Sequence, residues 1–298
     1  MTVRCPICEG KTETSISKDG YSYRRCISCG MLFVNDHPPI EVIQGHYAEA
    51  YFEASAANCG EVRLGYPSYR EAQESLKASF ARKLDLVRSL VKRGRLLDVG
   101  AAYGTFLSLA SKDFECFGLD VSAYAARVAR DEFGLDVRQG SIEQTTPFAD
   151  EFFDVVVMWD VIEHLVDPIA ALREVRRILK PGGNLAISTD DVANWLVRLL
   201  GRQWWGLAAP LHLHHFSKQG MTIALQRAGG FEEVAFVPDK REYRLGEIIS
   251  HLGVSFKSGW LTNIGKRFET SFLGRRVITV SRPEQFIAIA CRKGRETS

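Results

Sequence analysis

An apolar run that ends in two spaced glycines and opens directly into a helix most constrains what this 298-residue chain can become. Leu96-Leu97-Asp98-Val99 reads as a buried strand, Gly100-Ala101-Ala102-Tyr103-Gly104 as a turn and Thr105-Phe106 as a helix start. Gly100 and Gly104 permit backbone torsions and a close ligand approach that a side chain would obstruct, and the helix N-terminus presents unpaired N–H groups. A nucleotide-like ligand is the expected occupant. The G-x-G-x-x-G spacing of dinucleotide turns is not met, because Ala102 takes the middle place and Phe106 enters the helix. A ligand without phosphates suits this turn better.

Glu115-Cys116-Phe117-Gly118-Leu119-Asp120 reads as a second strand, ending in an acid placed to accept both ribose hydroxyls. Phe152-Phe153-Asp154-Val155-Val156-Val157-Met158-Trp159-Asp160 follows, then Glu163-His164-Leu165 and Leu179-Lys180-Pro181-Gly182-Gly183. In this order and spacing the series resembles the class I S-adenosylmethionine-dependent methyltransferases, over roughly residues 80 to 240. The resemblance implies an α/β, Rossmann-like seven-stranded methyltransferase sheet with its last strand antiparallel, and S-adenosylmethionine across the carboxyl ends of the first strands. Carried over residue by residue, it puts Asp98, Gly100, Ala102 and Gly104 in the first cofactor motif and Asp120 on the ribose. It puts Val121, Ser141 and Ile142 by the adenine and Trp159 beside the sulfonium, where a plain core role for the tryptophan stays open. Two departures stand out. The usual Gly-Cys-Gly is Gly100-Ala101-Ala102, which narrows the approach, and Ser141 replaces the aspartate that many relatives offer to the adenine amino group.

Four of the seven cysteines form Cys5-Pro6-Ile7-Cys8 and Cys26-Ile27-Ser28-Cys29. This is zinc-ribbon spacing: two short knuckles supply four thiolates in a tetrahedron and point backbone N–H groups at the sulfurs. The expectation is a structural zinc, since four thiolates close the site to catalysis. A redox Cys-x-x-Cys usually comes singly, at a helix start in a βαβ unit. Cys59, Cys116 and Cys291 have no spacing logic.

Residues 1–39 are therefore expected as a zinc ribbon, bounded by Asp36-His37-Pro38-Pro39; residues 40–94 as an aromatic and helical segment over the cofactor; and residues 95–298 as the methyltransferase domain. The aromatics Tyr47, Tyr51, Phe52, Tyr66 and Tyr69 either pack on the main domain or wall the methionine end of the cofactor, where Tyr66 is a candidate contact. A helix from Ser68 to Gly94 carries Leu76, Phe80, Leu84, Val87 and Leu90 on one stripe. Strands are expected near 95–99, 115–120, 135–139, 153–159, 184–189, 231–237 and 284–291, with helices near 104–112, 122–133, 168–180 and 217–229. Asp167-Pro168 marks a helix start. The amino-terminal residues show no signal-peptide pattern and no apolar run is long enough to span a bilayer, so a cytoplasmic location is expected.

The net charge of +2 hides an asymmetry: residues 240–298 carry 12 Lys/Arg against 5 Asp/Glu, leaving 26 against 31 in residues 1–239. The acidic body argues against a nucleic-acid partner. The basic stretch 240–283, with Trp260 and Phe268 among its cations, is read as an insertion; membrane-surface contact, an acceptor phosphate and a solvated face all stay open for it.

The segment 191–216 is read as an acceptor lid containing Trp204, Trp205 and the run His212-Leu213-His214-His215-Phe216-Ser217. It resembles zinc-ribbon methyltransferases of sugar and small-metabolite pathways, although Leu211 stands where deoxysugar C-methyltransferases carry a glutamate. Methyl transfer needs alignment and removal of the acceptor proton, and an imidazole near pKa 6.5 suits the second task. In an extended segment His212 and His214 share a face and His215 points away, which makes His212 the first candidate base and His214 the second. A hydrogen-bonding role in the lid is the alternative. Asp160, Glu163 and His164 offer metal-ligand chemistry, while the plainer reading makes Glu163 and His164 helix-start hydrogen-bond partners. The expected function is O-methylation, or C-methylation, of a small acceptor: a sugar, a glycan or an isoprenoid-like metabolite. An RNA methyltransferase that grips RNA with its ribbon, and a non-catalytic S-adenosylmethionine-binding module, are the alternatives.

Overall fold

The computed structural model describes residues 3–47, 49–53, 73–244, 259–269, 271 and 277–294. Tyr66, Tyr69, Cys59, the first residues of the expected long helix and, within the basic stretch, residues 245–258, 270 and 272–276 lie outside the described residues.

Eleven strands and nine helices are described: β1 (Thr12–Lys18), β2 (Tyr21–Cys26), β3 (Leu32–Val34), α1 (Ile40–Gly45), α2 (Glu49–Glu53), α3 (Gln73–Leu90), β4 (Arg95–Val99), α4 (Thr105–Ala110), β5 (Glu115–Asp120), α5 (Ala123–Phe133), β6 (Val137–Gln139), β7 (Phe153–Trp159), α6 (Pro168–Ile178), β8 (Leu179–Asp190), α7 (Trp195–Leu200), β9 (His214–His215), α8 (Lys218–Ala228), β10 (Phe231–Arg244), α9 (Gly259–Glu269) and β11 (Val277–Arg292). A seven-stranded sheet runs β10-β11-β8-β7-β4-β5-β6, with β11 antiparallel to both its neighbours, as expected. Strand order reverses between β4 and β7, so their carboxyl ends form a switch-point crevice.

Side-chain alternation along these strands makes two cores. Leu96, Val155, Val157 and Ala186 face Leu84 and Val87 of α3, Phe106 and Leu107 of α4, and Ala126 and Ala129 of α5. Leu97, Val99, Val156, Met158, Leu185 and Ile187 face Leu172 and Val175 of α6 and Met221 and Leu225 of α8. The helix starts follow local chemistry. Asp167 accepts from the N–H groups of Ile169 and Ala170 with Pro168 at the first helical position, and Ser122 accepts from Ala125.

Two sequence expectations need correction. Helix α3 ends at Leu90 rather than Gly94, leaving 91–94 as a short connection whose glycine has φ 140°. The stretch 240–283 is not wholly an insertion, because Lys240 to Arg244 pair with Ser281 to Val277 and prolong the β10/β11 hairpin beyond the sheet.

The ribbon does not stand apart. Its strands make a four-stranded sheet, β1-β2-β3-β9, whose last member comes from the lid of the main domain: Leu32 pairs with His215 and Phe33 with His214. Cys5, Ile7, Cys26, Cys29 and Met31 share a core with Phe216, Met221 and Ala224, while Tyr23, Leu32 and Val34 share another with Trp204 and Leu207. Ser217 ties the two parts together: its hydroxyl caps α8 by accepting from Gly220 and donates to the carbonyl of Cys29. Ser217→Ala removes a cap and leaves a buried carbonyl short of a donor, so unfolding free energy should fall by about 1–3 kcal/mol, read as a lower urea midpoint at unchanged m.

Candidate active site

The cofactor cradle is built where β4, β5 and β6 end. Gly100 and Gly104 adopt φ of 74° and 76°, and an added Cβ would lie 2.5 Å from Val161 Cγ2 and 2.3 Å from Leu135 Cδ1 respectively. The glycines are thus required by neighbouring side chains as well as by backbone torsion. Ala102 also sits in the left-handed region, at φ 48°. It is held there by its own N–H, which donates to Asp120 Oδ2 at 2.8 Å. The other oxygen of Asp120 accepts from Ser122 N at 2.8 Å, so this acid is fixed by two backbone donors at the mouth of β5. Burial pushes the Asp120 carboxyl up while those two hydrogen bonds pull it down. Asp98 lies buried beneath the turn; burial first, then the neighbouring Asp120, raises it well above the carboxylate range.

A cavity of 280 Å³ opens beside this turn, lined by Val121, Gln139, Gly140, Ser141 and Gln144. Val121 and Ser141 therefore stand together at the expected adenine end. The side chain of Ile142 belongs instead to the core with Val99 and Leu119. Ser141 Oγ also accepts from Glu143 N at 3.2 Å, which holds its turn. Trp159 is 8% exposed at the end of β7, its ring 5.5 Å from Phe106 and under the ammonium of Lys83 at 4.8 Å. Over the cradle, Phe52 packs on Tyr103 and Tyr124, whose hydroxyls both donate to Glu53.

Next to the cradle, buried acids and imidazoles from four elements converge. Asp160 ends β7 in the left-handed region, φ 56°, with Oδ1 accepting from Ser188 Oγ at 3.0 Å. Glu163 and His164 lie in a single 3-10 turn, Ile162–His164, that has no side-chain cap, so they are not helix-start partners: their side chains reach Thr189, Leu211 and Tyr47 instead. Glu163 accepts from Thr189 Oγ1 at 3.0 Å, and burial together with Asp160 and Asp190 raises it well above the usual range. His164 Nδ1 lies 3.0 Å from both the Leu211 carbonyl and the Tyr47 hydroxyl. Tyr47, one of the aromatics expected to pack on the main domain or wall the cofactor, reaches His164 across 117 positions of sequence, a contact that no local pattern signals.

The histidine run departs from the extended reading. Leu211 and His212 close a turn back to the carbonyl of Ala208, and only His214 and His215 are strand. His212 and His215 consequently face the same carboxylate, Asp190, with each Nδ1 3.8 Å from Oδ2, while His214 turns to the Val166 carbonyl at 3.4 Å. The ring of His212 meets that of His164 edge-on at 4.7 Å. The expectation of a base near its ordinary pKa is also corrected. Burial, then His164, pushes His212 down to about 3, and burial pushes His214 down to about 4. Both are neutral at physiological pH. Trp204 is a buried wall against His215 rather than an open flap, and Trp205 is half exposed.

Ligand atoms of Glu163, His164 and His212 lie within 4.8 Å of one another, as do those of Asp190, His212 and His215. Cys5, Cys8, Cys26 and Cys29 make a third such group, with Cys5 Sγ 3.7 Å from Cys29 Sγ and Cys8 Sγ 3.3 Å from Cys26 Sγ. Zinc–sulfur bonds of about 2.3 Å in a tetrahedron separate sulfurs by roughly 3.8 Å, so this thiol set fits a closed metal site.

The depressed histidines couple folding to pH with a definite sign. His212 titrates near 6.5 when unfolded and about 3 when folded, so its contribution is present above pH 6.5 and is lost as pH falls towards 3. Between pH 7.5 and 5.5 the wild type should lose about 1.4 kcal/mol relative to His212→Asn, measured as the change in the difference of their urea unfolding energies.

Comparison with known proteins agrees with this architecture. The family described as "Methyltransferase domain" matches residues 69–232, more than half of the chain. A ubiquinone biosynthesis O-methyltransferase of Cereibacter sphaeroides is 34% identical over 154 residues, covering 49% of this chain and 61% of the relative, so the chain spans less than two thirds of that relative's length. One from Hahella chejuensis is 27% identical over 183 residues, covering 55% and 77%. Among solved structures, a SAM-dependent methyltransferase from Thermotoga maritima superposes with TM-score 0.52 at 22% identity, over 76% of this chain and 95% of its own, a likeness of fold. With this sheet, this glycine turn and this match, the chain belongs to the methyltransferase domain family and has the class I S-adenosylmethionine-dependent fold.

Proposed function

We propose that the chain is an S-adenosylmethionine-dependent O-methyltransferase of a small hydroxylated aromatic acceptor, with His212 as the proton acceptor. The observation that carries this reading is a neutral imidazole beside the cofactor cradle, its side chain 15% exposed and within ligand distance of Glu163, His164, Asp190 and His215. The names of the curated relatives favour the hydroxyl of a quinone precursor over the sugar or glycan expected from sequence. Among the described residues no helix is long and apolar enough to cross a membrane.

When bound, S-adenosylmethionine supplies an electrophilic methyl on a sulfonium. Asp120, fixed by Ala102 and Ser122, would take the ribose; Val121 and Ser141 would border the adenine; Gly100, Ala102 and Gly104 would shape the turn beneath the methionine part. Asp98 and Trp159 would floor it. His212 Nε2 would take the proton of the acceptor hydroxyl as that oxygen is methylated. A weak base suffices, because an oxygen that has gained a methyl before losing its proton is far more acidic than the original hydroxyl. Tyr47 and His164 would line the same mouth, and His214, turned to Val166, is second to His212.

Cys5, Cys8, Cys26 and Cys29 would hold one structural zinc, whose loss would release β3 from the His214–His215 strand. Metal analysis should give one zinc per chain. Stripping it should raise amide exchange across residues 204–216 while S-adenosylmethionine affinity stays within about threefold.

Calorimetric titration of the full chain with S-adenosylmethionine tests the cofactor, and Asp120→Ala should weaken binding by about 1–3 kcal/mol. Turnover of 3,4-dihydroxybenzoate, followed by S-adenosylhomocysteine release, tests the acceptor class. His212→Ala should lower it about 10²- to 10⁴-fold with cofactor affinity preserved. Full rates in His212→Ala, with loss in His214→Ala, would move the base to His214.

A further inference from the structure

Asp190 is the last residue of β8, and its two carboxylate oxygens are treated very differently. Oδ1 accepts from Gln285 Nε2 at 3.1 Å, across the register pair that joins β8 to β11. Oδ2 is buried with no hydrogen-bond partner, in a side chain only 5% exposed. A buried carboxylate oxygen without a donor is costly enough that its surroundings call for an explanation. Both groups nearest to it are imidazole nitrogens: His212 Nδ1 and His215 Nδ1, each at 3.8 Å. The two ring nitrogens of His215 are themselves buried and unpartnered.

A second geometric fact fixes a proton. His212 Nδ1 stands 3.0 Å from the carbonyl oxygen of Gly206. A carbonyl can only accept, so Nδ1 carries the hydrogen and the lone pair of the ring lies on Nε2. The same Nδ1–H therefore has a carbonyl at hydrogen-bond distance and a carboxylate oxygen just beyond it.

We infer that Asp190 is the positioning carboxylate of the His212 base, facing the Nδ1–H that the Gly206 carbonyl fixes, holding His215 in its Nδ1–H form and countering the charge His212 acquires when Nε2 takes the acceptor proton. This rests on the reading of His212 given above. In the transfer step the oxygen–methyl bond forms, the carbon–sulfur pair returns to sulfur, and the oxygen–hydrogen pair stays on oxygen as the proton moves to Nε2; Asp190 gains no proton. A buried imidazolium is otherwise expensive, and an adjacent anion offsets that cost only as the charge develops.

The remaining ionisable groups agree with a division of labour. His212 is faced by His164 and Glu163 from the 3-10 turn, Asp160 from the end of β7, Asp190 from β8 and His215 from β9, with Tyr47 behind His164 and Arg282 of β11 on the far side of Asp190. Glu163 is pushed up by burial and by the two aspartates, and so is the acid that keeps its proton. Burial pushes Asp190 up as well, but His215, His212 and Arg282 outweigh it and hold the carboxyl below its ordinary range. Of these two buried acids, Asp190 is the one that stays ionised.

The test begins with the full-length zinc-loaded protein labelled with ¹⁵N-histidine, which needs neither a variant nor turnover. Ring-nitrogen correlation spectra at pH 7.5 should show His212 and His215 as Nδ1–H tautomers. Asp190→Asn keeps the Gln285 bond through its amide oxygen and turns an N–H towards the imidazoles, so His215 should switch to the Nε2–H form. With 3,4-dihydroxybenzoate, kcat should drop at least tenfold while KM and S-adenosylmethionine affinity change less than twofold, and Asp190→Glu should restore part of the rate. An Nε2–H tautomer for His212 in the native protein, or unchanged tautomers in Asp190→Asn, overturns the inference. So does a bound manganese or zinc ion beyond the ribbon's one that disappears in Asp190→Asn, because the carboxylate is then a metal ligand. Failure of His212→Ala to slow turnover with the tautomers as stated sinks the base reading instead, so the two outcomes are separable.

Discussion

The backbone of Leu213 is the crossbar on which the site depends. Its carbonyl accepts from Val34 at the end of the ribbon's β3 at 2.9 Å, and its N–H donates to the carbonyl of Glu163 at 2.8 Å. One residue thus ties the ribbon, the lid and the turn after β7 into one ladder, and backbone hydrogen bonds buried from water are expensive to leave unmade. His212 and His214 flank that residue, so their directions follow from it. Tyr23, which accepts from Ala209 N at 3.1 Å, and Lys18, which donates to the carbonyls of Trp204 and Leu207, fasten the rest of the lid to the ribbon. A module that looks appended in sequence is the scaffold on which the segment 204–216 is held.

Around that scaffold, charge is distributed by burial rather than by pairing. Asp160, Glu163 and Asp190 crowd together with three imidazoles, and Arg282 acts on Asp190 from β11. The compensation is partial protonation: Glu163 holds its proton, His164 and His212 stay neutral, and Asp190 keeps its charge. In a pocket this low in dielectric each of those charges acts more strongly on its neighbours than it would in water.

Backbone strain marks the same place. Ala102 and Asp160 take positive φ at the carboxyl ends of β4 and β7, and each is held by a polar partner, Asp120 and Ser188 respectively. The two corners lie on either side of the switch point, where the crevice of an open parallel sheet must be.

The sequence by itself determined the sheet, the glycine turn, the acid that ends β5 and the four-cysteine group, because each is a local pattern: period-two apolar runs, a strand–turn–helix junction, and paired Cys-x-x-Cys knuckles. The helix starts at Ser122, Asp167 and Ser217 were legible for the same reason, since a cap acts within three residues. What only the tertiary structure decided was the acceptor side. The strand alternation that grouped His212 with His214 failed, because the turn from Ala208 rotates His212 out of the strand before β9 begins and brings it beside His215 on Asp190. Tyr47 reaches His164, and Gln285 reaches Asp190, across separations that no local pattern encodes. The pKa of His212 was hidden for a related reason: a side chain's intrinsic affinity for a proton is written in its type, but burial and neighbouring charge, which set its value here, exist only once the chain has closed around it.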